Sequence, residues 1–218
     1  MTRLLVWLWL ILLALPGLAQ QRPTRLTGKV VDPRQYDEIK NSPYLFDTFM
    51  PAILVPLSGE PITDVAVNFN GHTQVFELEK DGIRVEMEIG LLIGVQVQQG
   101  DSLCGLPTFL KLLNRKLINE FPLFVYQGTR YKLVRDFRVT LSDNKVETPG
   151  KTVRFKTFNR ISDYYIMEGR DLEPIRLSRN DVLRRFDDPA AQAFVDAEGL
   201  DLGTEQGVCT LLNWLEER

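Results

Sequence analysis

The sequence predicts an α+β fold that is mainly antiparallel β: a curved or barrel-like meander sheet followed by two or three short C-terminal helices. Between Leu26 and Leu177, apolar residues mostly recur at every second position, which is the period of a strand. After Ser178 the apolar spacing becomes helical. Turn-forming residues separate the predicted strands, which is typical of an antiparallel meander.

The clearest strand is residues 83–89, where the odd positions are apolar and the even positions are charged. This alternation is typical of a half-buried strand with one wet face. Asp81-Gly82 precedes it and predicts a tight hairpin, because a type I′ turn requires a positive φ at both central residues. Gln127-Gly128 and the stretch around Gly169 predict two more hairpins. Further strands are predicted at residues 52–57, 65–70, 73–80, 91–98, 123–127, 130–141, 153–158, 163–167 and 174–177.

Three helix starts are predicted after residue 177. Ser178-Arg179-Asn180-Asp181 has the form of a capping box, Pro189 begins a second helix that Gly199 ends, and Thr204 caps a third. Because each helix is too short to be stable alone in water, we expect residues 178–218 to pack on the β region, residues 20–177, within one domain. The last helix has one apolar face, formed by Val208, Leu211, Leu212 and Leu215, with Trp214 beside it.

Residues 1–19 have the pattern of a cleavable secretory signal peptide. Arg3 supplies a basic start, residues 4–15 carry no polar side chain, and Gly17 and Ala19 provide small residues at positions −3 and −1 of a cleavage site. The apolar run spans roughly 18 Å as a helix, which is shorter than the ~30 Å hydrocarbon core. We expect cleavage between Ala19 and Gln20 and an exported protein, periplasmic or secreted, that is not integral to a membrane. A permanent N-terminal anchor is the alternative.

The mature chain is mildly acidic. Removal of residues 1–19 takes away Arg3 and no acidic residue, which leaves 25 basic residues against 29 acidic ones. A chain with this charge and without a basic cluster lacks the electrostatic surface that nucleic-acid binding requires. We therefore expect no nucleic-acid partner.

Cys104 and Cys209 are the only cysteines. An exported protein meets an oxidising compartment, where the two can pair. A disulfide that closes a loop of about a hundred residues stabilises by ~4.7 kcal/mol in the chain-entropy model. The alternative is two independent thiols, with Cys209 as a small core residue on a helix. The sequence leaves both alternatives open.

The sequence contains no recognisable catalytic or metal-binding motif, so we assign neither a catalytic residue nor a cofactor. His72 is the only histidine and follows Asn70-Gly71 in a predicted turn. A Ser-His-Asp or Cys-His site would have to use it, and no nucleophile has an identifying context. Two distant cysteines do not supply the ligand spacing of a zinc site.

Three residues are weak binding candidates: His72, Asp163 and Tyr165. Strand alternation places Asp163 and Tyr165 on one face and Tyr164 on the other. Tyrosines on a strand ordinarily pack against the sheet with a solvated hydroxyl, and an exposed turn histidine ordinarily has no functional role. The same kind of weak pattern predicts a binding rim formed by Tyr44, Phe46, Asp47 and Phe49.

Several short motifs are distributed along the chain, at residues 42–45, 67–70, 124–128, 163–166 and 183–186, followed by the closing amphipathic helix. Their sequences are Ser-Pro-Tyr-Leu, Val-Asn-Phe-Asn, a strand-turn from Phe to Gly, Asp-Tyr-Tyr-Ile and Leu-Arg-Arg-Phe. Together they resemble a family of exported bacterial proteins of similar length and no assigned activity, over residues 41–218. The resemblance implies a β-rich domain with a helical C-terminus outside the cytoplasm. The cysteines and residues 100–107 depart from the family pattern, so the resemblance implies nothing about their pairing.

We therefore expect an exported, non-catalytic binding or interaction module whose partner is an apolar ligand or an envelope protein. One form of this hypothesis is a periplasmic carrier that encloses an apolar ligand or lipid beneath the C-terminal helices. An enzyme with a dispersed Asp/Glu/Tyr site and a structural subunit of an envelope assembly are the alternatives. A large apolar cavity would favour the carrier, converging carboxylates the enzyme, and a filled interior with an exposed apolar patch the interaction role.

Overall fold

The computed structural model describes residues 28–58, 60–100, 103–149 and 151–218. The predicted signal peptide and its cleavage site lie outside these residues. The described strands are β1 Gly28–Val30, β2 Ile39–Lys40, β3 Met50–Pro56, β4 Ile62–Asn70, β5 Val75–Lys80, β6 Ile83–Met87, β7 Leu92–Val97, β8 Thr108–Leu110, β9 Leu123–Gln127, β10 Tyr131–Thr148, β11 Lys151–Glu168 and β12 Asp171–Ile175. The helices that follow are α1 Arg179–Phe186, α2 Pro189–Glu198 and α3 Glu205–Glu216.

The described strands form one sheet in the order β1-β6-β5-β4-β3-β7-β8-β9-β10-β11-β12, and β2 pairs with β11. Every pairing is antiparallel except that of β2. The predicted α+β fold is confirmed. Of the two predicted sheet shapes, the curved meander is correct, because the path ends at β1 and β12 without closing.

Local signals placed the turns and helix ends correctly. Asp81 and Gly82 both have positive φ, 54° and 76°, as a type I′ hairpin requires. The Ser178 hydroxyl accepts from the backbone N–H of Asp181, and the Thr204 hydroxyl accepts from that of Gly207. These side-chain caps satisfy N–H groups that have no partner within the helix.

The predicted strand ends were wrong at several places. β10 runs to Thr148 rather than to residue 141, and β12 spans Asp171–Ile175 rather than residues 174–177. Residues 151–168 form one strand rather than two, because β11 pairs with β10 without interruption from Tyr131↔Glu168 to Thr148↔Lys151. Residues 73–74 belong to a turn, where Gln74 has a φ of 62°, and not to β5. The short strands β1, β2 and β8 had no recognisable signal in the sequence.

The inner face of the sheet is filled by aromatic side chains. Phe76 is fully buried, and its ring centroid lies 5.1 Å from that of Phe69, 4.9 Å from Phe109 and 5.7 Å from Phe121. The helices close this core from one side. Their buried residues in the same cluster are Val182, Ala191, Val195, Val208, Cys209, Leu211 and Leu212.

A second, smaller core lies on the opposite face of β9–β12. Phe124, Val134, Tyr165 and Leu172 form it, and the segment after β8 covers it. Asp136 anchors that segment by accepting hydrogen bonds from the backbone N–H of residue 118 at 2.7 Å and from the side chain of residue 119. Burial raises the pKa of Asp136, although these hydrogen bonds act in the opposite direction. The carboxyl group therefore has a structural partner at both oxygens.

Cys104 and Cys209 form a disulfide, with their Cα atoms 5.2 Å apart. The structure thus contains the pair rather than two independent thiols. The bond joins the segment between β7 and β8 to α3, and the Asn213 side chain donates to the Leu103 carbonyl at 2.8 Å beside it. Among the described helices, none is both long enough and apolar enough to cross a membrane.

Candidate functional site

An open groove of about 870 Å³ lies between β11, β12 and α1. This volume falls within the range of roughly 300–1,000 Å³ that is usual for ligand sites. We name it the β12 groove. Its lining residues are Ser162, Asp163, Tyr164, Tyr165, Pro174, Ile175, Arg176, Leu177, Asp181, Arg184 and Arg185.

The β12 groove exists because the pairing of β11 is interrupted on one side. β12 pairs with β11 only from Tyr164 to Glu168, and β2 pairs with it only at Lys156 and Thr157. After β12 the chain turns away into the cap of α1. Within the described residues, no strand pairs with the β11 edge between these two partners.

The hydrogen-bond pattern shows which backbone groups face the opening. The Val139 N–H donates to the Gly71 carbonyl at 2.8 Å, on the side of β10 away from β11. Val139 and its partner Arg160 are therefore a non-hydrogen-bonded pair, and the even-numbered residues of β11 direct their N–H and C=O groups away from β10. Ser162 consequently presents a backbone donor and acceptor to the groove.

The tyrosines of the groove are fixed by hydrogen bonds. The Tyr164 hydroxyl donates to Glu205 Oε1 on α3 at 2.8 Å, and the Tyr165 hydroxyl donates to the Lys116 carbonyl at 2.9 Å. Burial is the main cause that raises the pKa of both hydroxyls. They stay protonated at neutral pH and act as rigid walls rather than as bases.

The acidic side chains of the groove are both held by arginines. Asp163 forms an ion pair with Arg138, and Asp181 forms one with Arg184 at 2.5 Å. Neither carboxylate is therefore left to act alone as a general base.

The remaining arginines differ in how they are held. Arg185 lies 3.2 Å from a Glu168 oxygen and 2.7 Å from a Glu173 oxygen. The pKa of Glu168 is lowered mainly by its hydrogen bond from Arg130 and further by Arg185. Arg176 is exposed and has no ion pair or hydrogen bond among the described side chains. It is the groove cation best placed to pair with a ligand.

The structure brings two of the three sequence candidates together. Asp163 and Tyr165 both line the β12 groove, whereas His72 does not. The His72 side chain is exposed in the β4–β5 turn, with its ring centroid 5.2 Å from that of Phe158. Sequence reasoning did not select Arg176 or Arg184. For Arg184, the sequence feature that points to a role is its place in the Leu-Arg-Arg-Phe motif at residues 183–186.

Of the predicted rim, Tyr44 belongs to a network around the buried Glu77, whereas Asp47 is exposed. The Tyr44 hydroxyl donates to Glu77 Oε2 at 2.7 Å, and the Asn70 amide donates to Glu77 Oε1 at 2.8 Å and to the Tyr36 hydroxyl at 3.0 Å. Burial, reinforced by Glu77, raises the pKa of Tyr44. Because Glu77 is completely buried and both its oxygens are bonded, the network supports the sheet and offers no surface to a substrate.

The part of the chain that the structure describes contains no group of three or more His, Cys, Asp or Glu side chains arranged to hold a metal ion. No protein-family model matches the chain, and neither the curated proteins nor the solved structures contain a match. The resemblance to an exported bacterial family therefore stays a prediction, and function has to be argued from the β12 groove itself.

Proposed function

We propose that the protein is an exported, non-catalytic binding module that takes an extended, acidic segment of a partner protein into the β12 groove. The observation that carries this proposal is the unpaired β11 edge at Ser162. A ligand in extended conformation continues the sheet in line with β12, and its backbone pairs with the free N–H and C=O groups there. Such strand addition is a recurrent mode of peptide recognition.

The charge of the groove supports an acidic ligand. Among the described residues, Arg176 has no ion-pair partner, and Arg184 pairs with Asp181 while its own side chain stays 80 % exposed. A guanidinium group binds carboxylates, as it binds phosphates, in a planar, bidentate geometry that neutral groups do not match. Ile175 and Leu177 add an apolar surface beside these cations. The groove therefore suits alternating acidic and apolar side chains on an extended segment.

The alternatives fit the geometry less well. A carrier needs an enclosed apolar chamber, but the inner face of the sheet is occupied by packed rings around Phe76. An enzyme with converging carboxylates needs acids that are free to act, but Asp163 and Asp181 are each bound by an arginine. Both observations support recognition rather than enclosure or catalysis.

Export is the second component of the proposal, and the disulfide supports it because such bonds persist in oxidising compartments. Mass spectrometry of the N-terminal peptide of protein from the native cell envelope should find Gln20, or its cyclised form, as the first residue. Ala19→Arg removes the small residue next to the cut and should leave the precursor unprocessed. Retention of residues 1–15 in the unaltered protein would contradict export by a cleaved signal.

Binding can be tested with three fluorescein-labelled synthetic octapeptides that alternate valine with glutamate, glutamine or lysine. We expect the glutamate peptide to bind best by fluorescence anisotropy, because it presents carboxylates to Arg176 on one face. Arg176→Glu should weaken its binding by roughly tenfold or more, since a charged hydrogen bond is replaced by repulsion. On binding, amide hydrogen exchange at Ser162 should slow.

Arg170→Glu is the matched control, because it makes the same charge change on an exposed residue outside the groove. This variant should bind the glutamate peptide like the unaltered protein. The proposed ligand class is wrong if none of the peptides binds, or if Arg176→Glu and Arg170→Glu weaken binding equally. An unchanged exchange rate at Ser162 in the presence of bound peptide would exclude strand addition.

A further inference from the structure

The outer half of the β10–β11 hairpin extends past the other strands of the sheet. β9 pairs with β10 only from Lys132 to Arg135, and the last contact on that side is the hydrogen bond from Val139 to Gly71. On the opposite side, β2 covers β11 at Lys156 and Thr157. The β10 edge from residue 141 to 147 therefore has no strand partner within the described chain. We name this segment the β10 arm.

The backbone of the arm is poised to accept another strand. Because the Val139 N–H points away from β11, the odd-numbered residues that follow it direct their N–H and C=O groups outward. These groups belong to Leu141, Asp143, Lys145 and Glu147. None of them has a backbone partner on that side among the described residues.

Charge and overlap together select one self-complementary register. A pair centred on Val146 would also oppose Lys145 to the second copy's Glu147, but it would carry residues 141–143 past Thr148 of the second copy, where β10 ends. We propose that the arm pairs antiparallel with the arm of a second copy, centred on Asn144. This register sets Asp143 opposite the second copy's Lys145 and Lys145 opposite the second copy's Asp143. If the pair were centred on Lys145, the two copies of Lys145 would face each other and Asp143 would face the second copy's Glu147. If it were centred on Asp143, the two copies of Asp143 would face each other. Like charges directly opposite each other destabilise a sheet.

Charged edges normally prevent strands from associating. In the β10 arm they act selectively, because they penalise the two neighbouring registers and leave the Asn144-centred one with two opposite-charge pairs. Asp143 also has no ion pair within its own copy among the described residues, although Lys156 is its cross-strand neighbour. The second copy's Lys145, which also pairs with Glu147 in its own copy, supplies Asp143 with a partner on both sides of the two-fold axis. No residue that lines the β12 groove lies in the β10 arm. The test of this pairing is therefore independent of the test of peptide binding.

Cysteine cross-linking tests the register. In an antiparallel pair centred on Asn144, this residue faces itself in a non-hydrogen-bonded position, where Cα atoms are about 4.5 Å apart and a disulfide can form. Asn144→Cys should therefore give a covalent dimer on a non-reducing gel after mild oxidation. Val146→Cys is the matched control, because its two copies lie about 13 Å apart along the ribbon. The native cysteines are already joined and do not interfere.

Equal cross-linking of the two cysteine variants, or none by Asn144→Cys, would overturn the register. Charge reversal tests the driving force by sedimentation equilibrium. Asp143→Lys replaces both attractive pairs with repulsive ones and should weaken the dimer by roughly tenfold or more. Adding Lys145→Asp to it restores opposite charges and should restore the dimer. A double variant that associates no better than the single one, while circular dichroism shows both folded, would contradict the proposal, as would an unaltered protein that stays monomeric at millimolar concentration.

Discussion

Replacing both Cys104 and Cys209 by alanine should lower the free energy of unfolding by about 4–5 kcal/mol. The disulfide closes a loop with a sequence separation of 105 residues, and the chain-entropy model assigns a loop of this length ~4.7 kcal/mol. For a domain of this size, that loss corresponds to a Tm about 10–20 °C lower. Chemical denaturation in urea, with and without a reducing agent, measures the change directly.

The loss should appear first at α3, because the disulfide fastens this helix to the segment between β7 and β8. Hydrogen exchange in the double variant should show faster opening of α3 than of β10 or β11. Glu205 on α3 holds the Tyr164 hydroxyl and also lies 3.2 Å from the Arg135 guanidinium. Loosening α3 should therefore also weaken peptide binding in the β12 groove, although no cysteine lines it.

Leu106→Ala is the control for the disulfide, since it changes a 45 % exposed side chain in the same segment. Surface substitutions of this kind usually stay within about 0.5 kcal/mol of zero. If the unfolding free energy of the double alanine variant lies within ~1 kcal/mol of that of the unaltered protein, the disulfide does not constrain the unfolded chain as the chain-entropy model requires. Treatment of the unaltered protein with reducing agent should reproduce the double variant.

The parts of the fold that the sequence predicted are those that neighbouring residues determine. Asp81-Gly82 makes its own turn through two positive φ values, and Ser178 and Thr204 cap helices through hydrogen bonds that span three residues. β2 is different, because it consists of two residues whose partner strand lies more than a hundred positions away. No local signal marks such a strand. The continuity of β11 through its polar middle is likewise imposed by β10.

The residues of the candidate site likewise divide into those that local sequence predicts and those that only the tertiary structure places. Alternation along β11 was enough to place Asp163 and Tyr165 on the same face, and both line the β12 groove. The approach of Arg184 to that strand depends on how α1 docks, which the capping box at its start does not determine. The exposed edge at Ser162 depends on where β12 ends, after Ile175. Function therefore arises here from an interruption of pairing that only the tertiary structure reveals.

Phe76→Ala should cost about 3–5 kcal/mol of unfolding free energy, which is the range for removing a buried phenylalanine ring. Phe76 is fully buried and contacts three other rings, so the surrounding core cannot collapse into the space without losing these contacts. This loss is a large share of the stability of an ordinary domain. Phe76→Leu keeps most of the volume and should cost clearly less, which provides a readout if the alanine variant does not fold.

The same substitution decides between a filled interior and a carrier. In a packed core, the alanine variant loses stability and gains an apolar cavity that takes up a probe such as benzene, which the unaltered protein does not bind. In a ligand chamber, the side chains already border empty space, so Phe76→Ala would cost little and the unaltered protein would bind apolar probes. Denaturation of both variants, combined with benzene titration followed by Tm, separates the two. A cost below ~1 kcal/mol, together with benzene binding by the unaltered protein, would instead favour the carrier and contradict the β12 groove as the principal binding site.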